Sequence, residues 1–269
     1  MVKRITITIK PDVLRQIDDM VDGRNIRNRS HAIEELLSKS LSSSVRMALI
    51  LAGGIGAKLR PITYELPKAM IPVHGRPMLE HQILLFRKYG IKDIVVSLGH
   101  MHEKVQEHFG GKWGITYLVE KKALGTAGAL YAARDLIKDT FIVSNVDTLL
   151  SPNIPEIIEF HRRQGKVATM LLTTSEHTNK VGVARMRGNS ITEFVEKPTH
   201  AESKLVNAGL YIFEPGIKRF LKKRGTLEKV VFPILAHRSQ LAGYVYDGAV
   251  FDVGFLEGYE RAIKLWKGV

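Results

Sequence analysis

The sequence predicts an α/β protein with a mixed, mostly parallel sheet flanked by helices, preceded by a small domain of one strand and two helices. From residue 46 onward, apolar runs of strand length alternate with segments whose apolar residues recur at helical spacing. Before residue 45 the pattern is different, and a Leu-Ser-Ser-Ser joint ends that first segment. We therefore predict two domains, 1–44 and 45–269.

The composition excludes several classes of protein. The 269 residues are 45% hydrophobic and 25% charged, as in globular proteins. No apolar run approaches the ~18 residues needed to cross a bilayer, and the alternating N-terminus is unlike a signal peptide, so no membrane partner is expected. The absence of cysteine excludes disulfides and cysteine nucleophiles and favours a cytoplasmic location. The formal net charge of +13 favours polyanionic partners, meaning nucleotides or nucleic acid.

The first predicted element is a strand over residues 3–10, where apolar and polar side chains alternate strictly. Pro11 then opens a helix, and Asn28 caps a second one. Both helices carry apolar residues at helical spacing, which are Val13, Leu14, Ile17 and Val21 in the first and Ile33, Leu36, Leu37 and Leu41 in the second. These elements cannot bury enough surface alone, and a lone strand has no pairing partner. Pairing of two copies would meet both needs.

This pattern resembles the ribbon-helix-helix domain, the dimeric DNA-binding fold of the Arc and MetJ class. The resemblance implies a homodimer or higher homo-oligomer formed through the N-terminal strand, with Arg4, Thr6 and Thr8 facing the bases of double-stranded DNA. Arg29, at the amino end of the second helix, would meet a phosphate. The alternative is a domain that only dimerises, because its eight basic and six acidic residues give a small net charge.

The most distinctive segment is a glycine loop that follows the strand predicted over 48–52. It contains Gly53, Gly54 and Gly56, and three cations come after the glycines, which are Lys58, Arg60 and Lys68. Backbone N–H groups can approach an anion closely in such a loop, and phosphate is the anion that most often uses one. An ordinary glycine-rich turn is the alternative, which the cations and two prolines disfavour. The spacing fits neither a Walker A loop nor the G-x-G-x-x-G fingerprint.

Further helices and strands alternate along the chain. We predict helices over 77–89, 102–109 and 125–136, and strands over 94–98, 115–119 and 140–144. In such sheets ligands lie at the carboxyl ends of strands, where the glycine loop and Asp147 fall. Three histidines, His100, His102 and His108, are assigned to a surface helix rather than to a metal site.

Two aspartates follow apolar strands at distant points of the chain. Asp147 comes just after the strand over 140–144, and Asp252 lies in the apolar segment 250–254. A carboxylate in such a position either caps the backbone or holds a hard cation such as Mg²⁺. Together the two aspartates could bind one Mg²⁺ and bridge it to substrate phosphates.

The glycine loop resembles the signature of the sugar-1-phosphate nucleotidyltransferase family, G-G-x-G-[TS]-R-L-x-P-x-T followed by P-K. Ala57 and Lys58 depart from it at the Thr/Ser and Arg positions. Other segments resemble family motifs in the same order, which are 124–128, 145–147, 196–198, 207–209 and 250–254. The resemblance spans about residues 46–266. It implies the Rossmann-like fold of nucleotide-diphospho-sugar transferases.

The resemblance also implies an activity, the joining of an NTP to a sugar 1-phosphate with release of pyrophosphate. Asp147 and Asp252 would hold Mg²⁺. Lys58 would hold the triphosphate together with the loop amides, and Lys68 would stabilise charge at the α-phosphate. No left-handed β-helix domain of the kind that some family members carry is expected after residue 266.

Substrate contacts are implied in the same way. Glu196 would bind sugar hydroxyls, Lys197 the sugar phosphate, and Asn207 a further sugar group. Gly125 lies in the segment that resembles the nucleobase-contacting turn, and Glu120 precedes it by five residues. A carboxylate suits the N1 and N2 donors of guanine, so GTP with a mannose- or heptose-type sugar is expected. The alternative for Glu120 is a solvated charge.

A second hypothesis is a DNA-binding regulator whose nucleotidyltransferase-like domain senses a nucleotide sugar. Lys58 favours it, because lysine cannot reproduce the bidentate grip of arginine on phosphate. The other proposed catalytic residues favour the enzyme. A third hypothesis is that the two modules are joined for oligomerisation only. It explains fewer of the sequence motifs than the other two hypotheses do.

Overall fold

A computed structural model describes residues 6–24, 26–42, 45–111 and 113–268. The chain divides into two compact units, Met1–Ser44 and Val45–Val269.

The small unit contains two helices, α1 (Pro11–Asp19) and α2 (Arg29–Ser42). Proline stands in the first turn of α1, where its missing N–H is not needed. The predicted cap of α2 is confirmed, because Asn28 Oδ1 accepts a hydrogen bond from the His31 N–H at 2.9 Å. Both predicted helices of this unit are therefore present.

The predicted N-terminal strand is not formed where the structure describes it. Residues 3–5 of the predicted range 3–10 lie outside the described residues, and 6–10 carry no strand pairing. The backbone at Lys10 is nevertheless extended, with φ −64° and ψ 145°. A strand forms only against a partner strand, and none pairs with 6–10 in the described part of this chain.

The first helix is shorter than its apolar spacing predicts. Val21, which the sequence assigns to the apolar face of this helix, lies beyond the end of α1.

The large unit alternates strands and helices along the chain. Its described strands are β1 (Met47–Ala52), β2 (Pro72–Val73), β3 (Arg76–Pro77), β4 (Asp93–Leu98), β5 (Ile115–Val119), β6 (Phe141–Asn145), β7 (Thr148–Leu149), β8 (Ala168–Thr174), β9 (Gly182–Arg187), β10 (Ser190–Glu196), β11 (Leu205–Phe213), β12 (Leu241–Val245) and β13 (Phe251–Asp252). Its described helices are α3 (Ile62–Glu65), α4 (Met78–Lys88), α5 (His102–Phe109), α6 (Thr126–Ala132), α7 (Ile154–Gln164), α8 (Phe232–His237) and α9 (Leu256–Leu265).

Among the described residues, nine strands form one sheet in the order β5-β4-β1-β6-β11-β8-β12-β10-β9. The first four run parallel, and β12 runs parallel to β8. Strands β11 and β10 run antiparallel to their neighbours. The predicted mixed sheet is therefore confirmed, but it is not mostly parallel by pairing, because four of the eight neighbouring strand pairs in this order are parallel and four are antiparallel.

Helices cover both faces of this sheet, as predicted. Successive residues of β1 point to opposite faces, so Ala48 and Ile50 belong to one apolar core and Leu49 and Leu51 to the other. Helices α4, α5, α7 and α9 pack on the first core, and α6 and α8 pack on the second. Within the described residues, no helix is both long and apolar enough to cross a membrane.

Predicted and observed elements agree closely in the first half of the large unit. The helix over 102–109 and the strand over 115–119 are confirmed with the same bounds. Four others agree to within one residue at each end, which are the helix over 77–89 and the strands over 48–52, 94–98 and 140–144. The helix predicted over 125–136 ends at Ala132 instead. Beyond it the chain tightens into turns, in which the Leu136 N–H bonds to Ala133 O at 2.9 Å.

Leu79→Ala removes a fully buried side chain of α4 and is expected to lower the free energy of unfolding by about 3 kcal/mol. Leu265→Ala is the matched control, because Leu265 in α9 is 57% exposed; its loss should stay below about 0.5 kcal/mol. Urea unfolding followed by tryptophan fluorescence reports on the large unit, since Trp113 and Trp266 both lie in it. Equal losses in the two variants would contradict the assigned core.

Candidate active site

The carboxyl ends of three parallel strands meet at one edge of the sheet. Leu51 of β1 lies opposite both Ser97 of β4 and Asn145 of β6, so the segments that follow these strands start at the same level. The glycine loop and Asp147 therefore share one edge, as the parallel arrangement predicts.

One position of the glycine loop requires glycine. Gly56 has a φ of +71°, and a Cβ there would lie 2.8 Å from Thr63 Cγ2. The Thr63 hydroxyl donates to Gly56 O at 2.9 Å, which fixes the loop. Gly54 has open space around it, and Lys58 and Arg60 are exposed. The loop thus presents two cations beside a backbone that carries almost no side chains.

A short strand pair brings the two aspartates together. Strand β13 runs antiparallel to β7, with Asp252 opposite Thr148. The Val253 N–H donates to Asp147 O at 2.8 Å, one residue beyond this pair. Backbone hydrogen bonds therefore hold the two carboxylate-bearing segments side by side.

Three charged groups converge beside Gly254. Lys68 Nζ makes an ion pair with Asp147 Oδ2. A Cβ at Gly254 would lie 2.7 Å from Asp252 Oδ1 and 3.2 Å from both Asp147 Oδ2 and Lys68 Nζ. The side chains of Lys68 and Asp147 are only 15% and 25% exposed, so this contact is partly shielded from water.

The electrostatics of this cluster favour a bound cation. Burial raises the pKa of Asp252, and the Asp147 carboxylate raises it further. The Gly254 N–H, at 2.7 Å from Asp252 Oδ1, and the charges of Lys68 and Lys58 act in the opposite direction. The described residues contain no group of three or more His, Cys, Asp or Glu that could hold a metal. Two neighbouring carboxylates are, however, oxygen donors of the kind that Mg²⁺ accepts.

A small pocket of about 270 Å³ lies at this edge, lined by Gly53, Glu120, Gly125, Thr126, Asn145 and Asp147 among others. Both carboxylate oxygens of Glu120 are engaged. Oε1 accepts from the Ser97 hydroxyl at 2.6 Å, and Oε2 accepts from the Leu124 N–H at 3.0 Å. Glu120 therefore anchors the turn 120–125 and is not a solvated charge.

The turn 120–125 is pressed against the loop 223–227. Gly125 has a φ of +77°, and a Cβ there would lie 2.4 Å from Gly225 O. The Gly225 N–H donates to Leu124 O at 3.0 Å, and the Ala127 N–H donates back to Gly225 O at 3.0 Å. Only glycine fits at position 125, because the two backbones meet there.

A large cleft of about 980 Å³ lies on the other side of the aspartates, lined by Asn145, Asp147, Glu196, Asn207, Glu228 and Asp252 among others. Glu196 is 15% exposed at the side chain, and its Oε1 lies 3.6 Å from Lys197 Nζ. Lys197 itself is 53% exposed and does not line the cleft. Its backbone has a φ of +51°, and its N–H donates to Val181 O at 3.1 Å.

The side chain of Asn207 is held within β11. Its Nδ2 donates to the Tyr211 hydroxyl at 2.7 Å, and its Oδ1 accepts from the Gly209 N–H at 2.9 Å. The register of β11 against β8 shifts between Asn207 and Tyr211. Asn207 therefore shapes the wall of the large cleft at this irregular point of the strand.

Sequence reasoning missed three polar groups. Asn145 lines both the small pocket and the large cleft, and its Oδ1 is buried without a hydrogen-bond partner in the described part of the chain. Burial raises the pKa of Tyr211 well above its ordinary value. Glu228 lines the large cleft. Asn145 stands in a segment that the motif comparison had singled out, whereas no spacing or period in the sequence marks Tyr211 or Glu228.

The residues expected to contact DNA are exposed where they are described. Thr6 and Thr8 are exposed, and Arg4 lies outside the described residues. Arg29 is 60% exposed at the side chain, and two of its N–H groups bind Asp18 at 2.5 and 2.8 Å. The ion pair lowers the pKa of Asp18, and it occupies part of the guanidinium.

The three histidines do not form a cluster. His102 opens α5, where its Nδ1 lies 3.1 Å from Gln106 Oε1, and only Val105 and Phe109 of this helix are buried. His108 is exposed on the same helix. The predicted surface helix is confirmed for His102 and His108, whereas His100 lies in the turn before α5.

Comparisons with known proteins identify the family of this chain. The sequence model of the family described as nucleotidyl transferase matches residues 47–267. The chain is 35% identical over 220 residues to the mannose-1-phosphate guanylyltransferase catalytic subunit beta of Danio rerio, covering 77% of this chain and 61% of the relative. It is 37% identical over 228 residues to a mannose-1-phosphate guanyltransferase of Candida albicans, covering 78% and 62%. The chain thus spans about 61% to 62% of the length of these curated relatives.

The fold is also known from solved structures. A UDP-glucose pyrophosphorylase complexed with UDP-glucose aligns with a TM-score of 0.73 at 21% identity, covering 82% of this chain and 98% of that one. At this identity the likeness shows the fold alone. The family match extends over the glycine loop, both aspartates and both cavities, and the chain therefore belongs to the nucleotidyl transferase family.

Proposed function

We propose that the large unit is a Mg²⁺-dependent guanylyltransferase that joins GTP to mannose 1-phosphate and releases pyrophosphate. The observation that carries the proposal is the convergence of Asp147, Asp252 and Lys68 beside Gly254, between the small pocket and the large cleft. The relatives named above support this choice of substrates, and a heptose 1-phosphate is the alternative sugar.

The reaction brings together two anions that repel each other. A phosphate oxygen of the sugar 1-phosphate must approach the α-phosphorus of GTP in line with the departing pyrophosphate. No protein nucleophile is needed, because positioning and charge stabilisation supply the catalysis. Mg²⁺, when held by Asp147 and Asp252, would neutralise phosphates of both substrates.

Three lysines would each neutralise charge on a different phosphate group. Lys58 and the amides of Gly53, Gly54 and Gly56 would hold the triphosphate of GTP. Lys68 would turn from Asp147 toward the charge that develops at the α-phosphate. Lys197, which is exposed beside the cleft, would reach the phosphate of the sugar. Lysine in place of arginine at position 58 gives a weaker grip but keeps the charge.

The two cavities separate the two substrates. Guanine would lie in the small pocket against Gly125, where the spare lone pairs of Glu120 would accept its N1–H and N2–H. The sugar would lie in the large cleft, where Glu196 would accept sugar hydroxyl protons. Asn207, whose amide is occupied by Tyr211 and Gly209, would act there by shaping the wall.

The wild-type protein is expected to release pyrophosphate from GTP and mannose 1-phosphate in the presence of Mg²⁺. Asp147→Asn and Asp252→Asn should each lower turnover by roughly 100-fold or more, because each removes a metal-binding charge. Asp135→Asn is the control, since Asp135 is 82% exposed and lines neither cavity. EDTA should abolish turnover, and added Mg²⁺ should restore it.

Absence of turnover by the wild-type protein across several NTPs and sugar 1-phosphates would contradict the proposed enzyme activity. Tight binding of a nucleotide sugar without turnover would then favour the second hypothesis, a regulator that senses such a ligand.

For the small unit we propose a ribbon-helix-helix dimer that binds double-stranded DNA. Four of its apolar side chains are more than two-fifths exposed within one chain, which are Ile7, Val13, Leu36 and Leu37. Segment 6–10 has no pairing partner in the described part of the chain. A second copy would cover the apolar side chains and complete the strand pair.

Sedimentation is expected to give a mass of about twice the 30.2 kDa of one chain. Ile7→Lys should shift the protein toward the monomer, whereas Thr8→Lys, on the other face of the predicted strand, should leave the dimer intact. DNA retention should fall with salt and should be lost in Arg4→Ala/Thr6→Ala without a change in mass. A monomeric wild-type protein would contradict the proposed dimer. A dimeric wild-type protein that does not retain DNA would contradict the proposed DNA binding and leave dimerisation as the role of the small unit.

A further inference from the structure

Glu228 has no role in the mechanism above, yet it lines the large cleft. It lies on a short π-helical turn, Leu227–Val231, that continues into α8. The Glu196 carboxylate, on the same cleft, is close enough to raise the pKa of Glu228. A second acidic side chain thus stands beside the one expected to bind sugar hydroxyls.

Glu228 is tied to the turn 120–125 of the small pocket. The Thr126 hydroxyl donates to Glu228 Oε2 at 2.8 Å, and the Leu227 N–H donates to Thr126 Oγ1 at 2.7 Å. Thr126 follows Gly125 directly and opens α6. Thr126 lines the small pocket, whereas Glu228 lines the large cleft. One hydrogen bond therefore connects the walls of the two cavities.

The environment of Glu228 disfavours its charged form. Burial raises its pKa most, and its own backbone N–H and the hydroxyls of Thr126 and Thr226 only partly oppose that rise. A buried carboxylate is stabilised by each additional hydrogen-bond donor. A sugar hydroxyl in the cleft is such a donor.

We propose that Glu228 is a positioning residue that accepts a hydroxyl of the sugar and, through Thr126, couples the sugar cleft to the guanine pocket. Binding of one substrate then orders the wall that the other substrate uses, so each tightens the binding of the other by the same factor. This inference rests on the proposed function of the large unit.

The test measures the affinity for mannose 1-phosphate by calorimetry, with and without a non-hydrolysable GTP analogue and Mg²⁺. In the wild-type protein the analogue is expected to tighten sugar binding about fivefold or more. Thr126→Val should abolish this coupling while changing the affinity for mannose 1-phosphate alone less than about twofold. Thr126→Ser should restore the coupling, because it returns the hydroxyl.

Glu228→Ala should weaken the binding of mannose 1-phosphate by about tenfold and also remove the coupling. Glu107→Gln is the control variant, because Glu107 is an exposed residue of α5 that lines neither cavity. Its affinity and coupling should match those of the wild type. Thermal unfolding of each variant identifies any that does not fold. If Glu228→Ala does not fold, the comparison of coupling in Thr126→Val and Thr126→Ser still tests the inference.

Unchanged coupling in folded Thr126→Val, or unchanged sugar affinity in folded Glu228→Ala, would overturn the inference. Either result together with wild-type pyrophosphate release would leave the proposed function standing. Absence of pyrophosphate release from the wild-type protein would instead remove the proposed function itself.

Discussion

The backbone pairing of β7 with β13 is the constraint on which the rest of the site depends. It places Asp252 opposite Thr148 and lets the Val253 N–H bind Asp147 O at 2.8 Å. Two carboxylates are thereby held together at a cost in electrostatic energy, and the pKa of Asp252 is raised first by burial and then by the Asp147 charge. A cation must offset that cost, and Lys68 supplies one from the segment that follows the glycine loop.

Close backbone approaches then fix the cavities on either side of this charged cluster. Gly56 lets the glycine loop turn over Thr63, and Gly125 lets the turn 120–125 meet the loop at Gly225. Each of these positions would bring a Cβ within 2.8 Å of a neighbouring atom. The backbone is therefore closely packed both in the glycine loop and at Gly125, which lines the small pocket. Close packing of this kind suits a reaction that depends on positioning.

Much of the fold could be predicted from the sequence because its signals are local. Apolar runs mark the buried strands, and helical spacing with a capping residue such as Asn28 marks the helices. The glycine loop could be located because glycines followed by cations are a local pattern. The N-terminal strand was predicted from alternation alone, but residues 6–10 remain unpaired because pairing needs another strand.

The arrangement of the site could be predicted only in part, because it depends on contacts between distant segments. The sequence placed Asp147 and Asp252 at strand ends, but their meeting through β7 and β13 is a property of the fold. Glu120 could be a solvated charge by sequence, and the contacts with Ser97 and Leu124 decide otherwise. The position of Glu228 in the large cleft could not be predicted. A single acidic residue in a basic segment has no sequence pattern that distinguishes a buried side chain from an exposed one.

The central claim, that the paired aspartates hold the metal between two substrates, is tested most directly by a crystal structure with GDP-mannose and Mn²⁺. Anomalous scattering identifies the Mn²⁺ position. The account predicts a Mn²⁺ ion bound by carboxylate oxygens of both Asp147 and Asp252 and by the diphosphate. It also predicts guanine in the small pocket and mannose in the large cleft. A Mn²⁺ ion bound away from both aspartates would contradict it.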